Sequence, residues 1–457
     1  GLKVDREYLE ECRVNLKEII KKKRQEMYAL AGRVVNVGQD QTIIKVFREN
    51  WGIHLNQCNK ATLKKVINEE LDGQPNVHED AKRYAKLITE LRRLEKWYST
   101  YITRILERSE YDGRLYLQFN QAGAVSGRFT SDGQQFPRDA ILDEDGNEIY
   151  HPRRAFIADE GRLMYYLDFS QIELRVQADY TIRTSGGDLN LCRAYIPFKC
   201  YGEHRGIKGV FNYKDPEKRK YWTLENFWKD ENGNYWTPTD NHSLTAHNAL
   251  LLLGYECHAQ YKHYTHSGEG EPFFGEEIDE DKFKNVRSVG KTANFMFNYG
   301  GGLGAAMDIL NMPRNVAQAM VDGYAESFPH VKIFQEKVQE QHWRRGYVEN
   351  RYGRRYYLSD LNKSYVLANY LVQGTAADLL KECIIKIYDD WKSQNCETKL
   401  VLNIHDELGF SSVPGEEHII MKCREIMQNH HDKFYIPIVS DVEVTSGAWV
   451  DVEEFAC

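Results

Sequence analysis

The sequence has no long hydrophobic run. None of its apolar stretches approaches the roughly 18 residues that a membrane-spanning helix requires, and no signal peptide is visible at its start. Hydrophobic residues make up 42% of the 457 residues, and charged residues occur along the whole chain. The sequence therefore predicts a soluble, globular protein with no membrane partner, built as several domains or as one large composite enzyme.

Closely spaced cysteine pairs are also lacking. The nine cysteines are scattered and none belongs to a Cys-x-x-Cys pair. This indicates reduced thiols in the cytoplasm or another reducing compartment, such as an organelle matrix. A zinc site would need distant residues, and we do not expect one. Its candidate ligands would be Cys192, Cys200, His204, Cys257, His258, His263 and His266.

An excess of positive charge is the third absence. The net charge is −8, which argues against a passive nucleic-acid coat protein, because such proteins bind mainly by neutralising phosphates. Two helices rich in Lys and Arg are nevertheless predicted, from Asp5 to about Gly32 and from about Glu79 to Glu107. Together they would offer a basic surface to a phosphate backbone, although a solvated helix face explains any one of these cations equally well.

Two predicted apolar strands end in carboxylates. Asp168 follows the strand Met164–Leu167, and the tripeptide His-Asp-Glu at 405–407 follows the strand Leu400–Ile404. A carboxylate at the end of a buried strand is costly unless it is paired, hydrogen-bonded or metal-bound. Two such sites suit a two-metal phosphoryl- or nucleotidyl-transfer centre, because Mg²⁺ takes few protein oxygens and completes its shell with water and substrate phosphates. Either aspartate alone could equally be a turn residue or a helix cap.

The stretch RSVGKTANFMFNYG, residues 287–300, contains the Gly-Lys-Thr that ends a P-loop. It is not a P-loop, because Asn285 replaces the second glycine that the loop requires and the glycine cluster follows the lysine. Gly290 and Thr292 are therefore incidental to phosphate binding.

Four other residues of this stretch, Arg287, Lys291, Phe295 and Tyr299, recur every four positions and share one face of a predicted helix. Two cations followed by two aromatic rings could meet a triphosphate, then a sugar and a base. An amphipathic helix with both rings in the core fits the same spacing.

These motifs resemble those of the A-family DNA polymerases, of the bacterial polymerase I and phage replicative type. Six stretches follow the family's order: SGRFTSDGQQFPR (126–138), DFSQIELR (168–175), DNHSLTA (240–246), RSVGKTANFMFNYG (287–300), NYLVQGTAAD (369–378) and HDE (405–407). The resemblance covers nearly the whole chain, because VVNVGQDQTIIKVFRENWGI (34–53) resembles the family's thumb segment. It is limited to the polymerase region, and no proofreading exonuclease is expected in this chain.

The resemblance implies an α+β fold, a right-hand polymerase with an antiparallel-sheet palm and mainly helical fingers and thumb. Its divisions would be a thumb at 1–109, a palm at 110–175 and 351–457, and fingers at 176–350. An insertion near 196–240 lengthens the fingers, and its aromatic and basic residues make it a candidate contact for DNA or a replisome protein.

The resemblance also implies catalytic roles. The catalytic residues would be Asp168, Asp406, Lys291 and Glu407. Asp168 and Asp406 would bind two Mg²⁺ ions, for which Mn²⁺ could substitute, with the Phe169 backbone carbonyl as a further ligand. Lys291 would also protonate the departing pyrophosphate.

Substrate and DNA contacts are implied in the same way, with primer–template DNA and deoxynucleoside triphosphates as partners. Glu173 would exclude a 2′-hydroxyl, Phe295 would stack near the ribose and Tyr299 would occupy the template-base position. The remaining nucleotide-binding residues would be Arg287, Lys291, His242 and Gln171, and the DNA-binding residues Arg128, Asn369, Gln373 and His405.

Some positions depart from the family pattern. Met296 replaces the usual Gly or Thr, which leaves template contacts there undefined, and Gly301 and Gly302 are expected to loosen the end of the helix.

Three other functions fit parts of the sequence less well. A single-subunit phage-type RNA polymerase would be expected to have a small residue at 173 and Ser at 407, where this chain has Glu173 and Glu407. A non-catalytic nucleic-acid-binding relic, or an interaction protein built on the insert, would be indicated by loss of either aspartate or of Lys291. A metal nuclease would not need the helix face that carries Arg287, Lys291, Phe295 and Tyr299.

Overall fold

A computed structural model of the chain describes residues 1–69, 71, 77–137, 139–142, 146–188, 191–192, 195, 241–253, 280–298, 300–310, 312–394 and 396–455. The predicted insert near 196–240, Tyr299 and every zinc candidate except Cys192 lie outside the described residues. The described helices are α1 (Arg6–Ala31), α2 (Asp40–Trp51), α3 (Lys60–Ile67), α4 (Glu79–Lys96), α5 (Arg104–Arg108), α6 (Ile172–Ser185), α7 (Asn241–Leu252), α8 (Glu280–Asn298), α9 (Leu303–Leu310), α10 (Arg314–Ser327), α11 (Pro329–Arg345), α12 (Leu367–Lys392) and α13 (Glu417–Gln428). The described strands are β1 (Leu2–Val4), β2 (Arg114–Leu115), β3 (Phe119–Asn120), β4 (Thr130–Ser131), β5 (Ile141–Leu142), β6 (Glu148–Tyr150), β7 (Phe156–Ile157), β8 (Leu163–Phe169), β9 (Val348–Glu349), β10 (Arg355–Tyr356), β11 (Lys399–Ile404), β12 (Glu407–Ser412), β13 (Ser440–Thr445) and β14 (Glu453–Glu454).

Helix α1 begins and ends where the sequence predicts. The Asp5 side chain accepts a hydrogen bond from the Tyr8 backbone N–H at its start, and Gly32 ends it in the left-handed region at φ 68°. The second predicted helix is not regular, because α4 continues through a π-helical stretch, Trp97–Thr103, before α5.

Several Lys and Arg side chains of α1 and α4 form ion pairs with carboxylates of the other helix. Lys23 of α1 lies 2.9 Å from Glu90 of α4, and Arg24 of α1 lies 2.8 Å from Glu95 of α4. In the reverse direction, the Arg83 guanidinium of α4 lies 3.1 Å from Glu26 of α1. These cations therefore bridge the two helices, and the basic surface predicted from the sequence is smaller than its Lys and Arg content suggests.

The largest sheet has five antiparallel strands in the order β11-β12-β8-β13-β14. Side chains alternate between its faces. Tyr165, Leu167 and Phe169 pack in one buried cluster with α12 and α13. Met164 and Tyr166 belong to a second cluster that includes the apolar stripes of α1 and α4. This mixture of helices and an antiparallel sheet confirms the predicted α+β class.

Three helices pack closely without long side chains between them. A Cβ atom on Gly290 of α8 would lie 2.2 Å from the His242 carbonyl oxygen of α7. A Cβ atom on Gly323 of α10 would lie 2.6 Å from the Ala249 backbone nitrogen, also of α7. Helix α7 is thus held between α8 and α10 at contacts that only glycine permits.

Strand β1 pairs with β2 and β7 at a separate three-stranded sheet. The cluster that contains α1 and α4 extends to Met164, Leu402 and Trp449, so residues 1–109 share their core with the five-stranded sheet. Among the described residues, no helix combines the length and the apolar character needed to cross a membrane.

Candidate active site

Three carboxylates lie on one face of the five-stranded sheet. Asp168 of β8 is directly opposite Glu407 of β12 and Asp441 of β13. Directly opposed residues of antiparallel strands project to the same side, with Cβ atoms about 4.5–5.5 Å apart. Since Leu167 and Phe169 face α12 and α13, the three carboxylates lie on the other face, where Asp168 and Asp441 are exposed.

Asp406 adds a fourth carboxylate beside them. Strands β11 and β12 are joined by only His405 and Asp406, and Ile404 pairs with Glu407 across the turn. His405 has φ 54°, a left-handed conformation that costs a non-glycine residue about 1 kcal/mol or more. The tight turn therefore places Asp406 next to Glu407, at the end of the sheet where Asp168 lies.

The donor set fits a hard divalent cation, which prefers a few carboxylate oxygens completed by water and substrate. Within the described ranges, no three acidic, histidine or cysteine side chains lie close enough to form a complete metal site by themselves. Although the Asp441 residue is solvent-accessible, the protein partly desolvates its carboxyl group, which raises the pKa of Asp441, and nearby Arg175 and Arg424 oppose this shift. A cation bound at this face would favour the ionised form of the carboxylates.

Buried Arg175 fixes the end of β8. Its Nε donates to the Ser170 carbonyl at 2.7 Å and its Nη1 donates to the Pro437 carbonyl at 2.8 Å. Burial lowers the pKa of Arg175, and both of its hydrogen bonds are donated by guanidinium N–H groups. Because Ser170 follows β8 and Pro437 precedes β13, Arg175 connects the strands that carry two of the carboxylates.

Gln171 takes part in a separate polar chain. It has φ 52°, and its Oε1 accepts a hydrogen bond from the Tyr195 hydroxyl at 2.9 Å. That hydroxyl in turn lies 3.4 Å from Asn241 Nδ2 at the start of α7. The structure thus links this predicted nucleotide-binding residue, through Tyr195, to the helix that carries His242.

Arg128 and Glu173, which the sequence predicts to have separate roles, form an ion pair. Their side chains are 30% and 16% exposed. The Arg128 loop is anchored by the Tyr356 hydroxyl, which donates to the Ser126 carbonyl at 3.1 Å. The predicted minor-groove donor and the predicted sugar-contacting carboxylate are therefore adjacent and neutralise each other's charge.

Asn369 and Gln373 lie one turn apart on α12, and both are half-buried. Asn369 lines a small cavity together with Glu173 and with Asn298 at the end of α8. Asn298 also accepts a hydrogen bond from Gln177 of α6 at 2.9 Å. The end of α8 is therefore joined to the helix that follows Asp168.

On helix α8, Lys291 is exposed and Phe295 is half-buried. The Phe295 ring lies 5.9 Å from the ring of His242 on α7. The predicted phosphate-binding lysine and histidine thus lie on adjacent helices. The Arg287 side chain and all of Tyr299 lie outside the described residues, so their roles stay predictions.

The departures at Met296 and Gly301 have a common structural reason. Met296 is 6% exposed and packs in a helical cluster with Ala249 and Ala293. A Cβ atom on Gly301 would lie 2.6 Å from Met296 Cγ, and the Gly301 N–H donates to the Met296 carbonyl at 2.9 Å. Gly301 therefore packs directly against the end of α8, and the expected loosening by Gly301 and Gly302 stays a prediction.

Sequence reasoning missed Asp441, Asn294 and the structural role of Gly290. The alternation in SDVEVT is a strand pattern that could have revealed β13, but not the pairing with β8 that places Asp441 opposite Asp168. Gly290 and Asn294 are four residues apart, on the side of α8 that contacts α7. Gly290 is incidental to phosphate binding but not to the packing of α8.

By fold, this arrangement is a polymerase domain. It is similar to the POL domain of Pol1 from M. smegmatis, solved in complex with DNA primer–template and dNTP, with a TM-score of 0.67 and 20% sequence identity. The likeness covers 98% of this chain and 67% of that one, and it confirms the predicted fold.

The family follows from the sequence. The model of DNA polymerase family A matches residues 6–195 and 265–451, so the chain belongs to this family. The thermostable DNA polymerase I of Thermus aquaticus is 28% identical over 99% of this chain and 46% of its own length. The DNA polymerase I of Chloroflexus aurantiacus is 26% identical over 97% of this chain and 40% of its own length. The chain thus spans less than half the length of these relatives. Polymerases of this family depend on metal ions in general.

Proposed function

We propose that the chain is the polymerase region of a template-directed DNA polymerase that adds deoxynucleotides to a primer 3′-hydroxyl. The observation that carries the proposal is the strand register, with Asp168 opposite Glu407 and Asp406 in the adjoining turn. Membership of DNA polymerase family A favours DNA synthesis over RNA synthesis. Retention of both aspartates and of Lys291 argues against a non-catalytic relic.

Asp168 and Asp406 would hold two Mg²⁺ ions, with Mn²⁺ as a substitute, assisted by the Phe169 carbonyl and by Glu407. When bound, two such ions activate the attacking oxygen and stabilise the leaving one. The protein's part is to keep the carboxylates in place. Strand β8 is hydrogen-bonded to a neighbour on each side, and the two-residue turn restricts Asp406.

In the reaction, the primer 3′-hydroxyl would lose its proton to solvent as its oxygen forms a bond to the α-phosphorus of the incoming nucleotide and the bond from that phosphorus to the pyrophosphate oxygen breaks. Lys291, Arg287 and His242 would bind the triphosphate, and the Lys291 ammonium would donate its proton to the leaving pyrophosphate. The exposure of Lys291 leaves its ammonium group accessible to a substrate.

Selection of the correct nucleotide would be shared among the residues around the sugar and the base pair. Glu173 would exclude the 2′-hydroxyl, Phe295 would stack near the ribose and Tyr299 would occupy the template-base position until α8 closes. Arg128, Asn369 and Gln373 would donate to minor-groove acceptors, which are similar in every correct base pair. Gln171 and His405 would complete the nucleotide and DNA contacts, respectively.

The primer–template would lie against a palm of 110–175 and 351–457, between a thumb at 1–109 and fingers at 176–350. The insert near 196–240 would contact DNA or a replisome protein. Its deletion should then reduce processivity, strand displacement or partner binding, and an intact profile would refute this role.

Primer extension by aspartate variants tests the catalytic assignment. Asp168→Asn and Asp406→Asn should each reduce extension about a thousandfold, equivalent to roughly 4 kcal/mol of transition-state stabilisation, while primer–template affinity changes little. Asp389→Asn is a matched control, because Asp389 is exposed and pairs only with Lys392 among the ion pairs of the described residues. Extension above a few per cent in either site variant would overturn the assignment.

A further inference from the structure

His242 is held by a buried amide of the neighbouring helix. Asn294 Nδ2 lies 3.1 Å from His242 Nδ1 and 3.0 Å from the Asn241 carbonyl oxygen. Asn294 Oδ1 lies 2.6 Å from the Thr245 hydroxyl, which donates to it. His242 is itself 5% exposed, and Asn241, Thr245 and Asn294 are each 3% exposed or less. The cluster therefore lies inside the contact between α7 and α8.

The Asn241 carbonyl determines the orientation of the amide. A backbone carbonyl only accepts hydrogen bonds, so the Asn294 atom that faces it must be the NH₂ group. The reverse orientation would place two acceptor oxygens against each other in a buried site, which costs the desolvation energy of both. The second hydrogen of the same NH₂ group is then directed to His242 Nδ1.

This orientation fixes the proton on His242. Nδ1 must be unprotonated to accept from an NH₂ group, so the neutral ring carries its hydrogen on Nε2. In a protonated His242 ring, the Nδ1–H would point at the NH₂ group of Asn294, so two hydrogen-bond donors would face each other. We infer that Asn294 is a positioning residue, which holds His242 as the Nε2–H tautomer so that it binds the nucleotide triphosphate as a neutral hydrogen-bond donor.

The same contact sets the position of His242 relative to Lys291. The absence of a side chain at Gly290 lets the α8 backbone approach the His242 carbonyl, and Asn294 bonds the same turn of α7 one helical turn later. Lys291 and His242 are therefore carried by one rigid contact. Any movement of α8 toward a nucleotide would bring both groups together.

The inference rests on the proposed function for its ligand, but the tautomer can be measured without nucleotide or activity. The probe is nitrogen-15 NMR of the full chain labelled at histidine, with the His242 signal identified by its loss in His242→Gln. In the unmodified protein, Nδ1 should show the signature of an unprotonated ring nitrogen. In Asn294→Asp, whose carboxylate only accepts, Nδ1 should become protonated. Thr292→Ala, a change on the exposed side of α8, should leave the tautomer as it is.

Kinetics of nucleotide incorporation test the consequence. Asn294→Asp and Asn294→Ala should raise the deoxynucleotide KM about tenfold, the effect of losing one hydrogen bond to a charged group, with a smaller change in kcat. In a His242→Ala background, the same Asn294 variants should raise KM no further.

A protonated Nδ1 in the unmodified protein, or an unchanged tautomer in Asn294→Asp, would overturn the positioning role. An equal rise in KM with and without His242 would show that Asn294 acts only through the stability of the fold, which also overturns it. An unchanged KM in His242→Ala, with Asp168 and Asp406 still essential, would refute the triphosphate contact while leaving the proposed polymerase activity intact.

Discussion

The ion pair between Arg128 and Glu173 joins the residue proposed to select the sugar of the incoming nucleotide to the residue proposed to check its base pair. In the proposed function, Glu173 tests the sugar and Arg128 tests the base pair through the minor groove. With the two charges paired, Arg128 must leave Glu173, or share its donors with it, to reach a groove acceptor. Under the proposed function, Glu173 would therefore affect nucleotide choice both by its size and by its charge.

The two effects separate in two substitutions. Glu173→Gly removes the bulk that would meet a 2′-hydroxyl, so ribonucleotide incorporation relative to deoxynucleotide should rise about tenfold or more. Glu173→Gln keeps the size and loses the charge, so its ratio should stay within about threefold of the unmodified protein. Single-nucleotide incorporation with matched ribo- and deoxynucleotides measures both ratios. An unchanged ratio in Glu173→Gly would refute the steric role.

Single residues of the site were predictable where a local pattern marked them. Asp168, Asp406 and Glu407 follow apolar strands directly, and a carboxylate in that position needs a reason. Asp441 could not be recognised in the same way, because its relation to Asp168 depends on β13 pairing with a strand more than 270 residues earlier. Asn294 was missed because a polar residue within an amphipathic helix gives no signal of the carbonyl that it contacts.

Contacts between helices are the next scale, and Gly290 lies at a close contact between α8 and α7. Gly290→Ala should separate α8 from α7, because its Cβ would lie 2.2 Å from the His242 carbonyl oxygen. Overpacking of this kind typically costs about 1–3 kcal/mol. The expected result is a lower unfolding temperature together with a higher deoxynucleotide KM.

Gly304→Ala is the matched control, since Gly304 lies in α9 and a Cβ atom added there would have no neighbour within 4 Å. Alanine favours a helix over glycine by roughly 0.8–1.0 kcal/mol, so this change should leave the protein equally or more stable. Equal behaviour of the two variants would contradict the close approach at Gly290.

The contact between α12 and α13 contains a histidine that stays neutral. His430 is 1% exposed, and its Nε2 lies 3.3 Å from Cys383 Sγ. Burial, with a smaller effect of Lys386, lowers the pKa of His430 to about 4 from its ordinary 6.5. The unfolded chain takes up a proton below about pH 6.5, whereas the folded protein does so only near pH 4, so stability is full above pH 6.5 and falls between these values.

At pH 5 this difference in proton uptake should cost about 2 kcal/mol of unfolding free energy. His430→Gln removes the titrating group, so its stability should fall correspondingly less between pH 7 and pH 5. Urea unfolding at both values measures the difference. Glu382, whose Oε2 lies 4.0 Å from His430 Nδ1, opposes this lowering of the His430 pKa, but it stays ionised at both pH values. Burial alone would raise its pKa, but hydrogen bonds from Lys433, Lys386 and Tyr352 outweigh burial and lower it to about 2. Identical pH dependence in both proteins would show that His430 is not held neutral.

Elements with strong local signals were predicted nearly to the residue. Helix α1 has an Asp5 cap and a terminal Gly32, and strand β11 ends at Ile404, where the apolar run before His405 predicts its end. The π-helical stretch Trp97–Thr103 was not predicted, because its backbone shift depends on tertiary packing. There the Thr103 hydroxyl donates to the Tyr98 carbonyl five residues earlier. A uniform apolar stripe gives no sign of such a change.

At the scale of the whole molecule, the positive charge available to a bound polyanion is that of the cations that form no ion pair within the protein. The chain carries a net charge of −8, and the candidate site adds carboxylates to the face where DNA would lie. Binding of a polyanion must then depend on cations that no neighbouring carboxylate neutralises. Among the described residues, Lys86 and Arg93 of α4 form no ion pair, and both are exposed. They are seven residues apart and share one helix face.

The salt dependence of primer–template binding tests this count. Each phosphate contact contributes about −0.9 to the slope of log affinity against log salt concentration, so replacing Lys86 and Arg93 together with Gln should make the slope less negative by about 2. Arg83→Gln is the matched control, because its guanidinium already lies 3.1 Å from Glu26, and it should change the slope much less. Binding is measured without nucleotide over a range of salt concentrations, so catalysis does not enter. If all three substitutions changed the slope equally per charge, total charge and not unpaired cations would govern binding, and a specific contact of the primer–template with Lys86 and Arg93 would be wrong.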